Sequence, residues 1–72
     1  MGTTYKMVRL VGEAEAGIEA AIGEALSTSA ETVRGQTWLQ VAEIRANVSE
    51  SGGVDRWQVT VDVAFEVEKR SD

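Results

Sequence analysis

The chain has 72 residues, no proline, cysteine or histidine, and seven Lys and Arg against twelve Asp and Glu, giving a net charge of −5. Without cysteine or histidine it can form no disulfide framework, no zinc site of thiolates and imidazoles, and no Cys-His or Ser-His nucleophile pair. The acidic balance argues against nucleic acid as a partner, because binding to a phosphate backbone needs a basic stripe. No apolar run approaches the roughly 20 residues of a membrane span, and the first residues lack the apolar block of a signal peptide. We therefore expect one acidic, cytoplasmic domain over residues 1–72 that binds neither nucleic acid nor membranes.

The small size of the chain bears on its stability. A domain this short buries only about 60% of the surface that its unfolded form exposes, so a single core is marginal. Disulfides and a thiolate metal site are excluded, and self-association is the remaining common way to stabilise so small a fold. The sequence therefore predicts an oligomer.

The first predicted elements are a strand and a helix. Residues 3–11 are dense in β-branched, aromatic and aliphatic side chains, and Gly12 then ends the predicted strand. Between Glu13 and Arg34 the spacing of three and four residues predicts an amphipathic helix, with Ala14 near its N-cap and Gly35 as its C-terminal stop. The predicted buried stripe of this helix consists of Ile18, Ala21, Ile22, Ala25, Leu26, Ser29 and Val33.

Two further strands are predicted in the second half of the chain. Residues 37–49 carry apolar side chains at both parities: Trp38, Ala42, Ile44 and Val48 at one, Leu39 and Val41 at the other. A half-buried strand would alternate, so this strand either contains a bulge or has both faces partly covered. After a turn at Gly52 and Gly53, apolar side chains alternate cleanly from Trp57 to Val67.

The predicted order β-α-β-β gives an α+β fold in which a three-stranded antiparallel sheet wraps on one helix. One helix covers one face of such a sheet, so the other face and both edges would need a further cover. Gln58, Thr60 and Asp62 alternate with the apolar stripe and should point to this uncovered face. We expect a second subunit to cover it.

Three side chains are candidates for binding a ligand. The Trp38 indole stacks well on flat, electron-poor rings, although packing in a core or an interface is the commoner use of tryptophan. Gln58 offers both a donor and an acceptor to the edge of a heterocycle, and a solvated strand residue is its alternative interpretation. Arg45 can fork onto a phosphate or a carboxylate, and a lone strand arginine is more often a salt-bridge partner, here of Glu43 on another chain.

Several segments, in their order and spacing, resemble the dodecin family across nearly the whole chain. They are the pair Tyr5 and Lys6, the pattern W-x-x-V-x-E-I-R from Trp38 to Arg45, and the run W-Q-V from Trp57. The resemblance implies a β-α-β-β protomer that assembles into a hollow homododecamer and binds flavins in pairs at two-fold interfaces. It also implies that Trp38 stacks on the isoalloxazine ring, that Gln58 hydrogen-bonds the polar ring edge, and that Arg45 lies toward the phosphate of FMN.

The resemblance implies a function as well: storage and sequestration of a flavin, with quenching of its photoreactivity and no enzymatic turnover. FMN is the expected cofactor, with riboflavin or another flavin as alternatives. The chain departs from the family pattern at Glu13 and Ala14, where members usually read Thr-Ser, and at Glu66, where many have an arginine that could meet a phosphate. The alternative interpretation is a dodecin-shaped structural assembly that binds another small molecule or a cation, without flavin.

Overall fold

The computed structural model describes residues 2–67. Its elements are β1 (Tyr5–Ala14), α1 (Ile18–Ala30), β2 (Gln36–Val48) and β3 (Val54–Glu66). The strands form one antiparallel sheet in which β3 lies in the centre, between β1 and β2. The predicted α+β class and the β-α-β-β order are therefore confirmed.

The central strand β3 divides its side chains between the two faces of the sheet. Val59, Val61 and Val63 point to α1 and are at most 1% exposed. They pack on Ala21 and Ala25, and these five side chains form the core, as the alternation in β3 predicts. The opposite side of the sheet, which we call the helix-free face, carries the side chains of Tyr5, Met7, Arg9, Val11, Glu13, Trp38, Gln40, Glu43, Arg45, Gln58, Thr60, Asp62 and Ala64.

Strand β1 continues beyond its predicted end, and Gly12 lies inside it. Gly12 is buried and pairs with Val59 of β3. A Cβ atom at this position would collide with the carbonyl oxygen of Ala21, so glycine allows α1 to lie directly on the strand. The prediction that Gly12 ends the strand is wrong because this glycine serves close packing rather than a turn.

Helix α1 begins later than predicted. Its N-cap is Gly17, with a φ of 149° and no side-chain hydrogen bond to the free amides. Glycine tolerates this backbone angle, which other residues rarely adopt. Ala14, the predicted cap, belongs to β1, and so does Glu13. The acidic residue in the first turn of the helix is Glu19.

The helix also ends earlier than predicted. Glu31 is its C-cap, and the last turn contains no basic side chain, so Arg34 lies beyond the helix. Gly35 has a φ of 79° and leads into β2, where its carbonyl oxygen accepts a hydrogen bond from the Glu66 amide over 3.2 Å. Gly35 therefore does not end the helix as predicted. Its positive φ, which glycine adopts readily, lies just before the first residue of β2.

Strand β2 contains the bulge that its mixed pattern allowed. The pairing register between β2 and β3 shifts around Ala42, which reverses the faces of the side chains that follow. Before the shift, Trp38 pairs with Ala64 on the helix-free face. After it, Ile44 pairs with Val59 on the helix side. The prediction that Trp38 and Ile44 share a face is wrong for this reason.

The protomer is thin and exposes more surface than a compact protein of its mass. Its accessible area is 5434 Å², whereas a compact monomer of this mass would expose about 4,400 Å². The radius of gyration is 15.3 Å, against about 11 Å for a compact 72-residue domain. Helix α1 packs mainly on β1 and β3, and the β2 side chains Val41, Ile44 and Val48 are exposed. Within residues 2–67, no helix has the length and apolar character needed to cross a bilayer.

Candidate functional site

The three candidate residues all lie on the helix-free face, but at two separate places. Arg45 and Gln58 are register partners in β2 and β3, and Arg45 Nε donates a hydrogen bond to Gln58 Oε1 over 2.9 Å. Trp38 lies opposite Ala64, six residues from Gln58 along β3, which is about 20 Å at the rise of an extended strand. One protomer therefore brings Arg45 and Gln58 together and holds Trp38 at the far end of the same face.

The Trp38 indole packs against the Tyr5 ring and stays partly exposed. Its ring meets the Tyr5 ring edge-to-face, with centroids 5.9 Å apart and planes at 61°, a favourable aromatic geometry. Ala64 is fully buried although no helix covers it, which indicates that its register partners Met7 and Trp38 close over it. Trp38 itself stays 46% exposed, so nearly half of its surface is available to a ligand or a second chain.

Gln58 lies at the centre of a chain of polar contacts that crosses the sheet. Its Nε2 donates to Glu13 Oε1 over 2.6 Å, and Glu13 Oε2 accepts a hydrogen bond from Arg56 Nη1 over 3.0 Å. The hydrogen bonds from Gln58 and Arg56 lower the pKa of Glu13 below its ordinary value. Glu13 is therefore ionised at neutral pH, and the polar chain runs from Arg45 through Gln58 and Glu13 to Arg56.

An ion pair separates the two halves of the face. Arg9 Nε and Nη2 donate to the two carboxylate oxygens of Asp62 over 2.7 and 2.9 Å. Asp62 is only 9% exposed, and the hydrogen bonds from Arg9 lower its pKa. This bidentate pair occupies both oxygens of Asp62, so the middle of the face presents a satisfied ion pair rather than a free acid.

The sequence does not predict two contacts of this face, Glu13 with Gln58 and Tyr5 with Trp38. Glu13 was assigned to the start of the helix, but in a strand that continues through Gly12 it faces Gln58. The position of Glu13 in the sequence contains this information. Glu13 lies two residues after Val11 and four after Arg9, so a strand that extends through Gly12 places all three on one face. The contact between Tyr5 and Trp38 joins the two outer strands across β3, and no local pattern predicts it.

Arg45 has a partner within its own chain. Its Nε donates a hydrogen bond to Gln58, and the alternative of a salt bridge to Glu43 of another chain stays a prediction. As for the cation alternative, no group of three or more His, Cys, Asp or Glu side chains within residues 2–67 could hold a metal ion.

Comparison with known proteins gives a consistent result. The family model Dodecin matches residues 4–68. The dodecin of Thermus thermophilus is 45% identical over 69 residues, which covers 96% of this chain and 99% of that protein. The similarity therefore extends over nearly the whole length of both chains.

Solved structures share the same architecture. A crystal structure of a Thermus thermophilus protein matches with a TM-score of 0.88 and 43% identity, covering 96% of this chain and 100% of that chain. Dodecin from Streptomyces coelicolor matches with a TM-score of 0.86 and 28% identity, covering 94% and 96%. The calcium dodecin of Mycobacterium tuberculosis, at 20% identity and a TM-score of 0.76, shows the same fold over 96% and 97% of the two chains.

Proposed function

Because this chain belongs to the dodecin family, we propose that it is a flavin-binding storage and sequestration protein rather than an enzyme. FMN is the expected flavin, and riboflavin is the simplest ligand with which to test binding. The observation that carries the proposal is the arrangement of the helix-free face, with an open indole at one end and a polar amide edge at the other. These are the two kinds of surface that a flat heterocycle with a polar edge requires.

A ring that contacts both Trp38 and Gln58 lies between two copies of the chain. Their separation of about 20 Å along one sheet is longer than three fused six-membered rings. In a two-fold contact whose axis runs across the strands, one end of each face meets the opposite end of the other face. Trp38 of one copy and Gln58 of the second then meet the same ring, and the symmetry produces two such sites side by side.

The chemistry of the three residues suits a flavin. The electron-rich indole of Trp38 stacks on the electron-poor isoalloxazine ring. Gln58 keeps one N–H and one oxygen lone pair after its contacts with Glu13 and Arg45, enough for the polar ring edge. Arg45 uses only its Nε on Gln58, so its two terminal nitrogens remain for the phosphate of FMN.

Sequestration follows from this stacking and requires no turnover. Stacked on a photoexcited flavin, the Trp38 indole would donate an electron and take it back, which would dissipate the excitation before oxygen is activated. The contact surfaces sit on strands that are already ordered, so binding loses little conformational freedom. Storage and photoprotection therefore arise from the same contact.

Assembly into a homododecamer is the second part of the proposal. The exposed apolar side chains Val41, Ile44 and Val48 and the large accessible area of one protomer support burial against further copies. Sedimentation of dilute protein tests this directly. The mass of twelve chains is expected, and a stable monomer would contradict the proposal.

Flavin binding is tested by the absorption spectrum of the purified protein, followed by fluorescence titrations with riboflavin and FMN. We expect both flavins to be quenched on binding. Trp38→Ala should weaken binding by on the order of 1–3 kcal/mol, the range measured for bases stacked on aromatic side chains. Trp57→Phe is the matched control, because Trp57 packs against the core on the helix side. Equal riboflavin affinity in Trp38→Ala and the wild type would refute the site.

A further inference from the structure

The amide of Gln58 is flanked by one group that can only donate and one that can only accept. The Arg45 guanidinium has no acceptor, and the ionised Glu13 carboxylate has no donor. They contact opposite ends of the same amide, Arg45 at Oε1 over 2.9 Å and Glu13 at Nε2 over 2.6 Å. Only one of the two amide orientations satisfies both neighbours, with Oε1 toward β2 and Nε2 toward β1. The flipped amide would place N–H groups against the guanidinium and lone pairs against the carboxylate.

We propose that Glu13 is a specificity-determining positioning residue, which together with Arg45 fixes the orientation in which Gln58 presents its free donor and acceptor to a ligand. This inference rests on the proposed function, because the ligand edge in question is that of the flavin ring. That edge carries a ring N–H between two carbonyl groups. With the amide fixed, the ring N–H must lie opposite Oε1 and a carbonyl opposite Nε2. Glu13 touches no ligand atom and acts through Gln58.

The Glu13 carboxylate is itself held in place before any ligand arrives. Its second oxygen accepts a hydrogen bond from Arg56 Nη1 over 3.0 Å, and its backbone pairs directly with Gln58 in the sheet. Arg56 and Gln58 are two residues apart on β3 and therefore share a face. The carboxylate is thus clamped between an amide and a guanidinium of the same strand, and the orientation of Gln58 is set within one chain.

A double-mutant cycle with riboflavin tests the proposal, since riboflavin has no phosphate on which the charge of Glu13 could act. Glu13→Ala should weaken riboflavin binding by about 3- to 10-fold, the equivalent of one net hydrogen bond. In a Gln58→Ala background the same substitution should change affinity by less than about twofold, because the group through which Glu13 acts is gone. Glu13→Gln, which keeps an acceptor, should stay within about twofold of the wild type. An equal loss in both backgrounds overturns the proposal.

Glu15→Ala is the matched control for charge. Glu15 Oε2 also contacts Arg56, over 3.7 Å, but makes no contact with Gln58. This variant should bind riboflavin as the wild type does. If Glu15→Ala weakens binding as much as Glu13→Ala, the effect comes from the acidic patch as a whole, and the positioning role is refuted.

A readout without ligand separates this inference from the proposed function. In the ligand-free protein, the carboxylate should shift one of the two Nε2 proton resonances of Gln58. Glu13→Ala should abolish that shift, and Glu15→Ala should preserve it. An unchanged resonance in Glu13→Ala overturns the positioning role, whatever the protein binds. Absence of both riboflavin and FMN binding by the wild type overturns the proposed function and the ligand half of this inference, while the resonance still decides the orientation.

Discussion

The two faces of the sheet differ in the interactions that their side chains make. On the helix side, Val59, Val61 and Val63 pack on alanines of α1 and are almost completely buried. On the helix-free face, polar atoms have individual partners, as in the Arg9–Asp62 pair, and an indole is left open. Burial of apolar side chains on the helix side stabilises the protomer, whereas hydrogen bonds and ion pairs on the helix-free face fix the positions of individual polar groups. We therefore expect the largest effects on stability from changes on the helix side, and the effects on recognition from changes on the helix-free face.

The largest expected effect lies on the helix side, at Gly12. Gly12→Ala places a Cβ against the Ala21 carbonyl oxygen, so the helix must move away from the sheet. We expect a loss of about 3 kcal/mol in the free energy of unfolding, the upper end for overpacked cores, measured by urea denaturation. Gly23→Ala is the control, since an added Cβ there meets no atom within 4 Å, and it should stabilise the helix by about 0.5–1 kcal/mol. A Gly12→Ala protein as stable as the wild type would refute the close packing.

A smaller effect, dependent on pH, is expected from the ion pair on the other face. Arg9 lowers the pKa of Asp62, so the folded state binds fewer protons than the unfolded state at low pH. The contribution of Asp62 is fully present above the ordinary aspartate pKa of about 3.9 and is lost as the pH falls through the lower, folded pKa.

Asp62→Asn tests this sign. The variant should unfold at lower urea than the wild type at pH 7, and its stability should fall less steeply as the pH drops below about 4. Asp55→Asn removes the same charge from an exposed strand end and serves as the control. The same stability and pH slope in Asp62→Asn and the wild type would contradict the role of the pair.

The smallest effect is expected at Tyr5, whose ring supports the open indole. Tyr5→Ala removes an edge-to-face contact worth about 0.5–1.5 kcal/mol and should weaken riboflavin binding by no more than that amount. Tyr5→Phe keeps the ring and should bind as the wild type does. Both affinities are measured by fluorescence titration. Stronger binding in Tyr5→Ala than in Tyr5→Phe would show that Tyr5 restrains Trp38 away from the ligand rather than supporting it.

The helix side of the molecule was largely predictable from the sequence because its signals are local. The alternation from Val59 to Val63 predicts a half-buried strand, and the structure confirms it. The predicted ends of β1 and α1 are wrong because glycine commonly marks the end of a strand or a helix, which is the interpretation given to Gly12 and Gly35. Their actual roles depend on Ala21 and Glu66, which are distant in the chain.

The helix-free face was predictable only in part. Trp38, Arg45 and Gln58 were singled out by their chemistry and by resemblance, and the structure places all three on one face. Their separation into two groups and the contact of Gln58 with Glu13 depend on the pairing register. Strand register depends on contacts between distant parts of the chain and on the bulge near Ala42. Local sequence patterns locate neither the contacts nor the bulge.

The flavin site that we propose depends on the sharing of each ligand site between two copies of the chain. It is tested most directly by refolding Trp38→Ala and Gln58→Ala chains together in equal amounts and measuring their capacity for riboflavin. If the two residues act from different copies, random mixing restores both to about a quarter of the sites, and binding rises to about that fraction of the wild-type capacity. If they act from the same copy, no mixed site regains both. A mixture that binds no more riboflavin than its two parents would contradict a site shared between two copies.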